Sequence, residues 1–332
     1  MKRPIFLLFL LPLLFSCEKL LMEPGPDNTP ENNFQELWQT LDHKYTFFTF
    51  KNIDWDSVYN VYHPRISNDM SDQALFDVMS EMLFELRDGH VNLFTPFDIS
   101  RNWEWYLGSP QNFNFSLLER NYLQNDYERS GPLLNKMIDS IGYIYCGSFG
   151  STIYPENIDY VLKKFQHLKG IIIDVRDNGG GSTANSDRLA SRFTASERVV
   201  YFERFKNGPG HDDFSEPRPK YLRPEGPLQF TKPVAVLTNR SSYSAANDFA
   251  VIMSALPHVT LIGDTTGGGG GYPYYSELPN GWHYRFSSSQ TISVNDLIVE
   301  AGIPPDIQSE LREDDEIRGI DTILERALEE LK

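Results

Sequence analysis

The stretch GIIIDVRDNGGGS, residues 170–182, decides the fold of this chain. Its first half is a β-branched apolar run, which is typical of a buried strand, and its second half is a glycine-rich turn that leads into a helical pattern. Glycines let a backbone approach a ligand closely and turn its N–H groups toward an anion. A plain strand-to-helix turn explains the same residues equally well, so both interpretations stay open at this point.

Strand-like and helical patterns alternate on both sides of this stretch. Strands are predicted at 141–146, 170–175, 198–204, 233–238 and 259–262, and helices at 155–166, 182–193, 244–255 and 320–331. Apolar strands between helices predict an α/β fold whose sheet is covered on both faces. We expect this core to span residues 141–332.

Helical patterns precede the core. One apolar face runs from Phe34 to Tyr45, and a second runs from Leu75 to Leu86 behind Ser71, which can cap its helix. These two helices are expected to pack together as an N-terminal helical cap. The sequence thus divides into a cap at 32–94, an aromatic-rich connecting region of short strands and loops at 95–140, and the core.

The start of the chain has the pattern of an export signal. Two basic residues precede an apolar run at 5–15, which is too short to span a bilayer. The run ends in Leu-Phe-Ser-Cys at Cys17, which resembles the lipobox of bacterial lipoproteins, where the cysteine carries the lipid. We therefore expect an exported protein anchored to the membrane of the bacterial cell envelope, with 1–17 as signal and lipobox and 18–31 as a tether.

Composition and missing motifs exclude several classes of protein. A net charge of −16 argues against nucleic-acid binding, because phosphate contacts need clustered Lys and Arg. Neither a His-Glu-x-x-His pattern nor paired cysteines occur, so no metal is expected, and no cofactor is predicted. A Gly-x-Ser-x-Gly elbow is also missing, which argues against an α/β-hydrolase. If Cys17 is acylated, Cys146 has no disulfide partner and is expected to be a buried thiol.

A serine lies at a second predicted strand-to-helix junction, TNRSSYSAAND at 238–248. Backbone N–H groups at such a junction lie beside the Ser244 hydroxyl, which suits stabilising the oxyanion formed when a serine attacks a carbonyl. A helix N-cap is the alternative, and it is the commoner role for a lone serine at a helix start.

Two more segments carry residues suited to catalysis. In RDGHV, residues 87–91, a helix is expected to end at Gly89 and to lead His90 into an extended segment. A helix stop followed by an ordinary histidine is the alternative. In VEAGIPPD, residues 299–306, Glu300 precedes a rigid turn, and this feature alone would mean little.

Taken in order, these segments resemble the C-terminal processing peptidases and the related tricorn-type serine peptidases, the tail-specific protease family. Four ordered motifs carry the resemblance: DVRDNGGG at 174–181, SAA at 244–246, LIGDTTGG at 261–268 and GIPPD at 302–306. The resemblance implies an α/β (α+β) fold with a ClpP/crotonase-like β-α-β core. It also implies a hydrolase acting on peptide or protein substrates.

One turn separates the branches of this family. C-terminal processing peptidases use a Ser–Lys dyad, with the lysine in the turn matched by residues 265–271, where this chain has threonine and glycine. The resemblance therefore favours the tricorn-like branch without that dyad, in which a serine, a histidine and a late glutamate act together. The matching positions here are Ser244, His90 and Glu300.

The resemblance also implies roles for these residues. His90 would accept the Ser244 proton, and Glu300 would orient His90 directly or through a serine network. The tricorn serine before the histidine is Gly89 here, so Asp88 or a water would orient the imidazole, or that part of the relay is missing. The expected oxyanion donors are the N–H groups of Gly180 (or Gly179) and Ala245, and the expected bracing residues of the glycine turn are Asp174 and Arg176.

Family members often carry a PDZ module between cap and core. The segment between His90 and Ile141 is too short for one, so no complete PDZ module is expected, and recognition of substrate C-termini stays open. The alternative function is a catalytically inactive lipoprotein that binds a peptide or a hydrophobic ligand on the same fold.

Overall fold

The computed structural model describes residues 25–332. The predicted signal peptide, Cys17 and the first part of the predicted tether lie outside the described residues. Within the described range, none of the helices combines the length and the apolar character needed to cross a bilayer.

The N-terminal region contains four α-helices and a short 3₁₀ helix (His63–Arg65), whereas the sequence predicted two helices. The α-helices are α1 (Pro30–Lys44), α2 (Phe48–Lys51), α3 (Trp55–Tyr62) and α4 (Asp72–Phe84). The Ser71 hydroxyl accepts the Ala74 N–H at the start of α4, as predicted. Apolar side chains of α1 and α4, among them Phe34 and Met79, share one buried core.

Strands from far along the chain complete this core. Strand β1 (Asn92–Phe94) pairs with β11 (His283–Ser287), which pairs with β10 (Pro273–Glu277), and both pairings are antiparallel. Tyr284 and Phe286 of this sheet are buried in the same core as the helices. The cap is thereby tied to the C-terminal half of the chain by strands that the sequence analysis did not predict.

A seven-stranded sheet forms the centre of the protein. Its strands are β2 (Glu128–Ser130), β3 (Leu133–Ile138), β4 (Ile141–Tyr145), β5 (Gly170–Asp174), β8 (Val234–Thr238), β9 (Val259–Gly263) and β13 (Ile307–Gln308). Their spatial order is β13-β9-β8-β5-β4-β3-β2. Strands β4, β5, β8, β9 and β13 run parallel, and β2 and β3 extend one edge in antiparallel fashion.

Both faces of the sheet are covered. Along β5, Ile171 and Ile173 point into a core shared with α7 (Pro155–Phe165), α8 (Thr183–Ala190) and α9 (Ala245–Ser254). Ile172 points to the opposite face, where α11 (Thr322–Glu330) packs. Such alternation follows from the two-residue period of a strand. The predicted α/β fold with a doubly covered sheet is confirmed.

The segments outside the central sheet differ in part from prediction. The predicted strand at 198–204 forms β6 (Arg198–Phe205), which lies in a separate antiparallel sheet between β7 (Arg218–Leu222) and β12 (Ser289–Ser293). The connecting region contains α5 (Glu104–Leu107), α6 (Phe115–Leu117) and a π-helical turn (Leu118–Leu123), and its last strands, β2 and β3, join the central sheet. A short helix, α10 (Glu313–Ile317), precedes α11.

Candidate active site

Ser244 lies where the turns after two neighbouring parallel strands meet. Strands β5 and β8 pair directly, so the turns that follow their carboxyl ends lie side by side. The Tyr243 N–H donates to the Asn178 carbonyl at 3.0 Å and links these turns. A Cβ atom on Gly180 would lie 2.8 Å from the Ser244 Cβ, so only a glycine allows this approach.

The Ser244 backbone has an unusual conformation, with φ 56° and ψ −118°. Non-glycine residues in such regions cost about 1–3 kcal/mol and persist where the surrounding structure enforces them. Ser244 precedes α9, yet its side chain makes no capping hydrogen bond, so the N-cap interpretation is wrong for its hydroxyl. Its own N–H donates to the Gly268 carbonyl at 2.9 Å, which holds the serine against the glycine turn.

The imidazole of His90 lies next to this serine. Its Nε2 is 3.1 Å from the Ser244 Oγ, although 154 residues separate the two along the chain. The His90 side chain is buried, and its ring centroid lies 4.9 Å from that of Tyr243. Burial lowers the pKa of His90 to about 4, with Arg285 and Lys51 acting in the same direction and Asp88 opposing them. The imidazole is therefore neutral at neutral pH and can accept a proton.

The backbone before His90 differs from the predicted helix stop. Helix α4 ends at Phe84, five residues before Gly89, and Arg87 takes the positive φ of 46° in the turn that follows. Gly89 is therefore not the helix stop. The turn instead buries Asp88, whose Oδ1 accepts the His90 backbone N–H at 2.7 Å. Asp88 thus fixes the backbone of His90 and makes no hydrogen bond to its ring.

Glu300 lies in a 3₁₀ turn, Val299–Ala301. It was expected to orient His90 directly or through a serine network, but its carboxylate accepts hydrogen bonds from other groups. Its Oε1 accepts from the Lys51 Nζ at 2.7 Å and its Oε2 from the Gly270 N–H at 3.1 Å. Within residues 25–332 the buried His90 Nδ1 has no hydrogen-bond partner. Burial, with the nearby Asp88 charge, raises the pKa of Glu300 to about 7, and Lys51 opposes this shift.

Sequence reasoning missed two residues that connect these groups. The Lys51 Nζ lies 3.5 Å from the Asp88 Oδ2, and the same oxygen accepts from the Tyr45 hydroxyl at 2.9 Å. Glu300, Lys51, Asp88 and His90 therefore form a continuous chain of contacts behind the serine. Neither Lys51 nor Tyr45 belongs to a recognisable motif, so no sequence signal pointed to them.

The glycine turn offers backbone N–H groups near Ser244, but not the one predicted first. The Gly180 N–H donates to the Asn178 side-chain oxygen at 2.9 Å. The N–H groups of Gly179 and Ala245 are donors in none of the hydrogen bonds found in the described part of the chain. The alternative pair, Gly179 and Ala245, therefore fits an oxyanion site better than Gly180, whose N–H is already engaged.

Asp174 and Arg176 form a buried ion pair beneath this turn. The Arg176 Nη2 lies 2.6 Å from the Asp174 Oδ2 and 2.8 Å from the Oδ2 of Asp321, a residue that sequence reasoning missed. The Tyr143 hydroxyl donates to the same Asp174 oxygen at 2.7 Å. Asp321 also caps α11, so the network ties the glycine turn to the helix on the far face of the sheet.

Two cavities meet at the Ser244–His90 pair. One, of about 690 Å³, is lined by aromatic residues of the connecting region, including Trp103 and Tyr106, together with Arg101. The other, of about 320 Å³, extends past Ala245 toward Glu203 and Tyr272. Ser244 and His90 thus lie where the two cavities adjoin, and both residues line each of them.

Fold and sequence together define the class of this protein. The model of peptidase family S41 matches residues 140–309, and the chain belongs to that family. The model of the Tricorn protease C1 domain matches residues 26–84, the region of α1 to α4. The predicted membership of the tail-specific protease family is confirmed.

Individual relatives cover the chain to different extents. A solved protein from Parabacteroides merdae, described as a candidate peptidase, is 46% identical, with a TM-score of 0.88 over 92% of this chain and 97% of that one. The carboxy-terminal processing protease CtpA of Bacillus subtilis (strain 168) is 28% identical over 52% of this chain. The structure of mature CPAF, 13% identical, shares the fold with a TM-score of 0.67 over 91% of this chain and 97% of that one. The chain spans about a third of the length of the CtpA and CtpB proteins that it matches, 36% and 34% respectively.

Proposed function

We propose that this protein is a serine-type peptidase in which Ser244 is the nucleophile and His90 the general base. The observation that carries the proposal is the 3.1 Å approach of the His90 Nε2 to the Ser244 Oγ at the junction of two cavities. Membership of a peptidase family supports it independently.

The reaction follows from these positions. His90 takes the hydroxyl proton of Ser244 as the oxygen attacks the carbonyl carbon of the peptide bond, and the carbonyl oxygen becomes an oxyanion. The N–H groups of Gly179 and Ala245 would hold that oxyanion, and loss of one such donor costs about 3–4 kcal/mol in transition-state stabilisation. The imidazolium then gives its proton to the leaving amine, and water hydrolyses the acyl-enzyme by the same steps.

A fluorophosphonate probe tests this assignment, because it reacts with activated serines and needs no knowledge of the substrate. We expect labelling of the wild type and none of Ser244→Ala. Ser254→Ala is the matched control, since Ser254 lies exposed at the other end of the same helix, α9. Absence of labelling in the folded wild type, together with binding of peptides or apolar ligands, would support the non-catalytic alternative instead.

We also propose that the protein is exported and anchored by lipid at Cys17. The support is the basic and apolar pattern of residues 1–17, which ends in Leu-Phe-Ser-Cys. When the full chain is expressed in a bacterium fed an alkyne fatty acid, we expect label in the wild type and none in Cys17→Ser. Unlabelled wild type in the membrane fraction would contradict the proposal.

A further inference from the structure

Lys51 is the last residue of the short helix α2, and its side chain lies between Asp88 and Glu300. Its Nζ contacts the Glu300 Oε1 at 2.7 Å and the Asp88 Oδ2 at 3.5 Å. It also donates to the carbonyl oxygens of Leu86, at 3.3 Å, and Arg87, at 3.2 Å. The side chain is only 11% exposed, so this lysine is a buried cation between two buried carboxylates.

Stability alone does not explain a buried lysine between two buried carboxylates. Removing charged groups from water costs several kcal/mol per ion, and well-packed apolar side chains often serve stability as well or better. The cluster contains one basic and two acidic side chains, and the acidic ones lie on the turn before His90 and the turn at Glu300. Through the hydrogen bond from the His90 N–H to Asp88, the cluster connects to the base.

We propose, resting on the proposed peptidase function, that Lys51 is a positioning residue of the catalytic site. Its ammonium group contacts the carboxylates of both Glu300 and Asp88 and favours the ionised form of each. The Asp88 carboxylate, which accepts the His90 backbone N–H, then favours the imidazolium that forms when His90 takes the Ser244 proton. Lys51 thereby supplies the link between Glu300 and His90 that direct contact does not provide.

The surroundings of the cluster support this role. Tyr45 donates to Asp88, and the Lys51 Nζ lies 5.5 Å from the ring centre of Phe47. Further charged or titratable groups act on these residues: Arg285 acts on His90, Tyr243 on Asp88 and Glu300, and Arg240 on Glu300. The Arg87 guanidinium donates to the Lys51 carbonyl oxygen.

Charge balance predicts what loss of Lys51 does. Lys51 lowers the pKa of both Asp88 and Glu300. Two carboxylates that share a buried site without a cation cannot both ionise at neutral pH, so one takes up a proton. Since burial and Asp88 already raise the pKa of Glu300, Glu300 is the group that gains it.

A third cavity allows the lost ammonium group to be replaced. A space of about 430 Å³ is lined by Lys51, Glu300, Arg87 and Arg240. A small alkylammonium ion could enter it in a Lys51→Ala variant. Such rescue would separate the charge of Lys51 from its packing.

The test compares Lys51→Met, Lys51→Arg and Lys51→Ala with wild type. In Lys51→Met we expect kcat to fall with KM nearly unchanged, and the acid limb of kcat/KM to move to higher pH by one unit or more, about tenfold in proton affinity. Lys51→Arg should keep the wild-type limb, and ethylammonium should restore activity to Lys51→Ala. An unchanged acid limb in Lys51→Met, or rescue by neither arginine nor the amine, would overturn the proposal.

A second measurement keeps this test separate from the peptidase proposal. The Glu300 carboxyl carbon, assigned by its loss in Glu300→Gln, is titrated by ¹³C NMR in wild type and variants. We expect a higher midpoint in Lys51→Met and a wild-type midpoint in Lys51→Arg, whether or not the protein cleaves peptides. An equal midpoint in wild type, Lys51→Met and Lys51→Arg would overturn the role of Lys51. Failure of the wild type to react with serine probes would overturn only the proposed function. If Lys51→Met does not fold, Lys51→Arg and amine-treated Lys51→Ala give the same readouts.

Discussion

Replacing Gly180 by alanine tests how closely the glycine turn approaches the nucleophile. The new Cβ would lie 2.7 Å from the Tyr243 carbonyl oxygen, 2.8 Å from the Ser244 Cβ and 2.9 Å from the Ala245 nitrogen. Two of these atoms are backbone atoms and the third is a Cβ, so a change of side-chain rotamer moves none of them. Gly180 also has a φ of 98°, which an alanine rarely adopts.

The expected cost combines these two effects. The positive φ costs about 1–2 kcal/mol, and overpacking against fixed atoms adds about 1–3 kcal/mol. We therefore expect the free energy of unfolding, measured by urea denaturation, to fall by about 2–5 kcal/mol. Relief of the clash separates the glycine turn from Ser244, so kcat/KM should fall as well, by about a hundredfold for a displacement of 1 Å.

Gly179→Ala is the control for stability, because a Cβ there meets no atom within 4 Å. Its free energy of unfolding should change by less than about 1 kcal/mol. If Gly180→Ala were as stable and as active as wild type, the close approach of the two turns would be wrong, and with it the placement of the serine.

Three further predictions follow from the site. Arg176→Met leaves two buried carboxylates unpaired and should lower the free energy of unfolding by about 3–5 kcal/mol in urea; an unchanged value would contradict the network. Ser244→Gly should abolish activity yet raise the thermal midpoint, because glycine relieves about 1 kcal/mol or more of backbone strain; a lowered midpoint would refute the strain. As the pH drops through about 7, kcat/KM should fall, because burial raises the pKa of Glu300 to about 7 and this carboxylate takes up a proton. His90, with a pKa of about 4, stays neutral in this range. An acid limb near pH 4 would show that Glu300 need not be ionised.

Local patterns predicted four neighbouring strands of the central sheet, β4, β5, β8 and β9, but not its edge strands β2, β3 and β13. The run at 170–174 alternates between the two faces of the sheet, and its neighbours at 141–145, 234–238 and 259–263 are equally apolar. Such strands are recognisable because both faces are buried. Strands β10 and β11 were not predicted, because polar and aromatic residues are mixed along them. Their buried aromatic side chains pack on helices that are distant in the sequence, and no local pattern reveals such a contact.

The candidate site was predictable to the extent that motifs carried it. The resemblance pointed to Ser244 and His90, and the structure places them at hydrogen-bond distance. The surroundings of Glu300 were not predictable, because its partner Lys51 lies 249 residues away on a four-residue helix without a motif. The Gly180 N–H was expected to hold the oxyanion, but it donates instead to the side-chain oxygen of Asn178, two residues earlier.

Activation of Ser244 by His90 can be tested by mass spectrometry of the protein after reaction with a fluorophosphonate, with the modified residue mapped by peptide fragmentation. We predict one adduct on Ser244, formed about a hundredfold or more slowly in His90→Ala. An adduct at another residue, or an equal rate of labelling without His90, would contradict it.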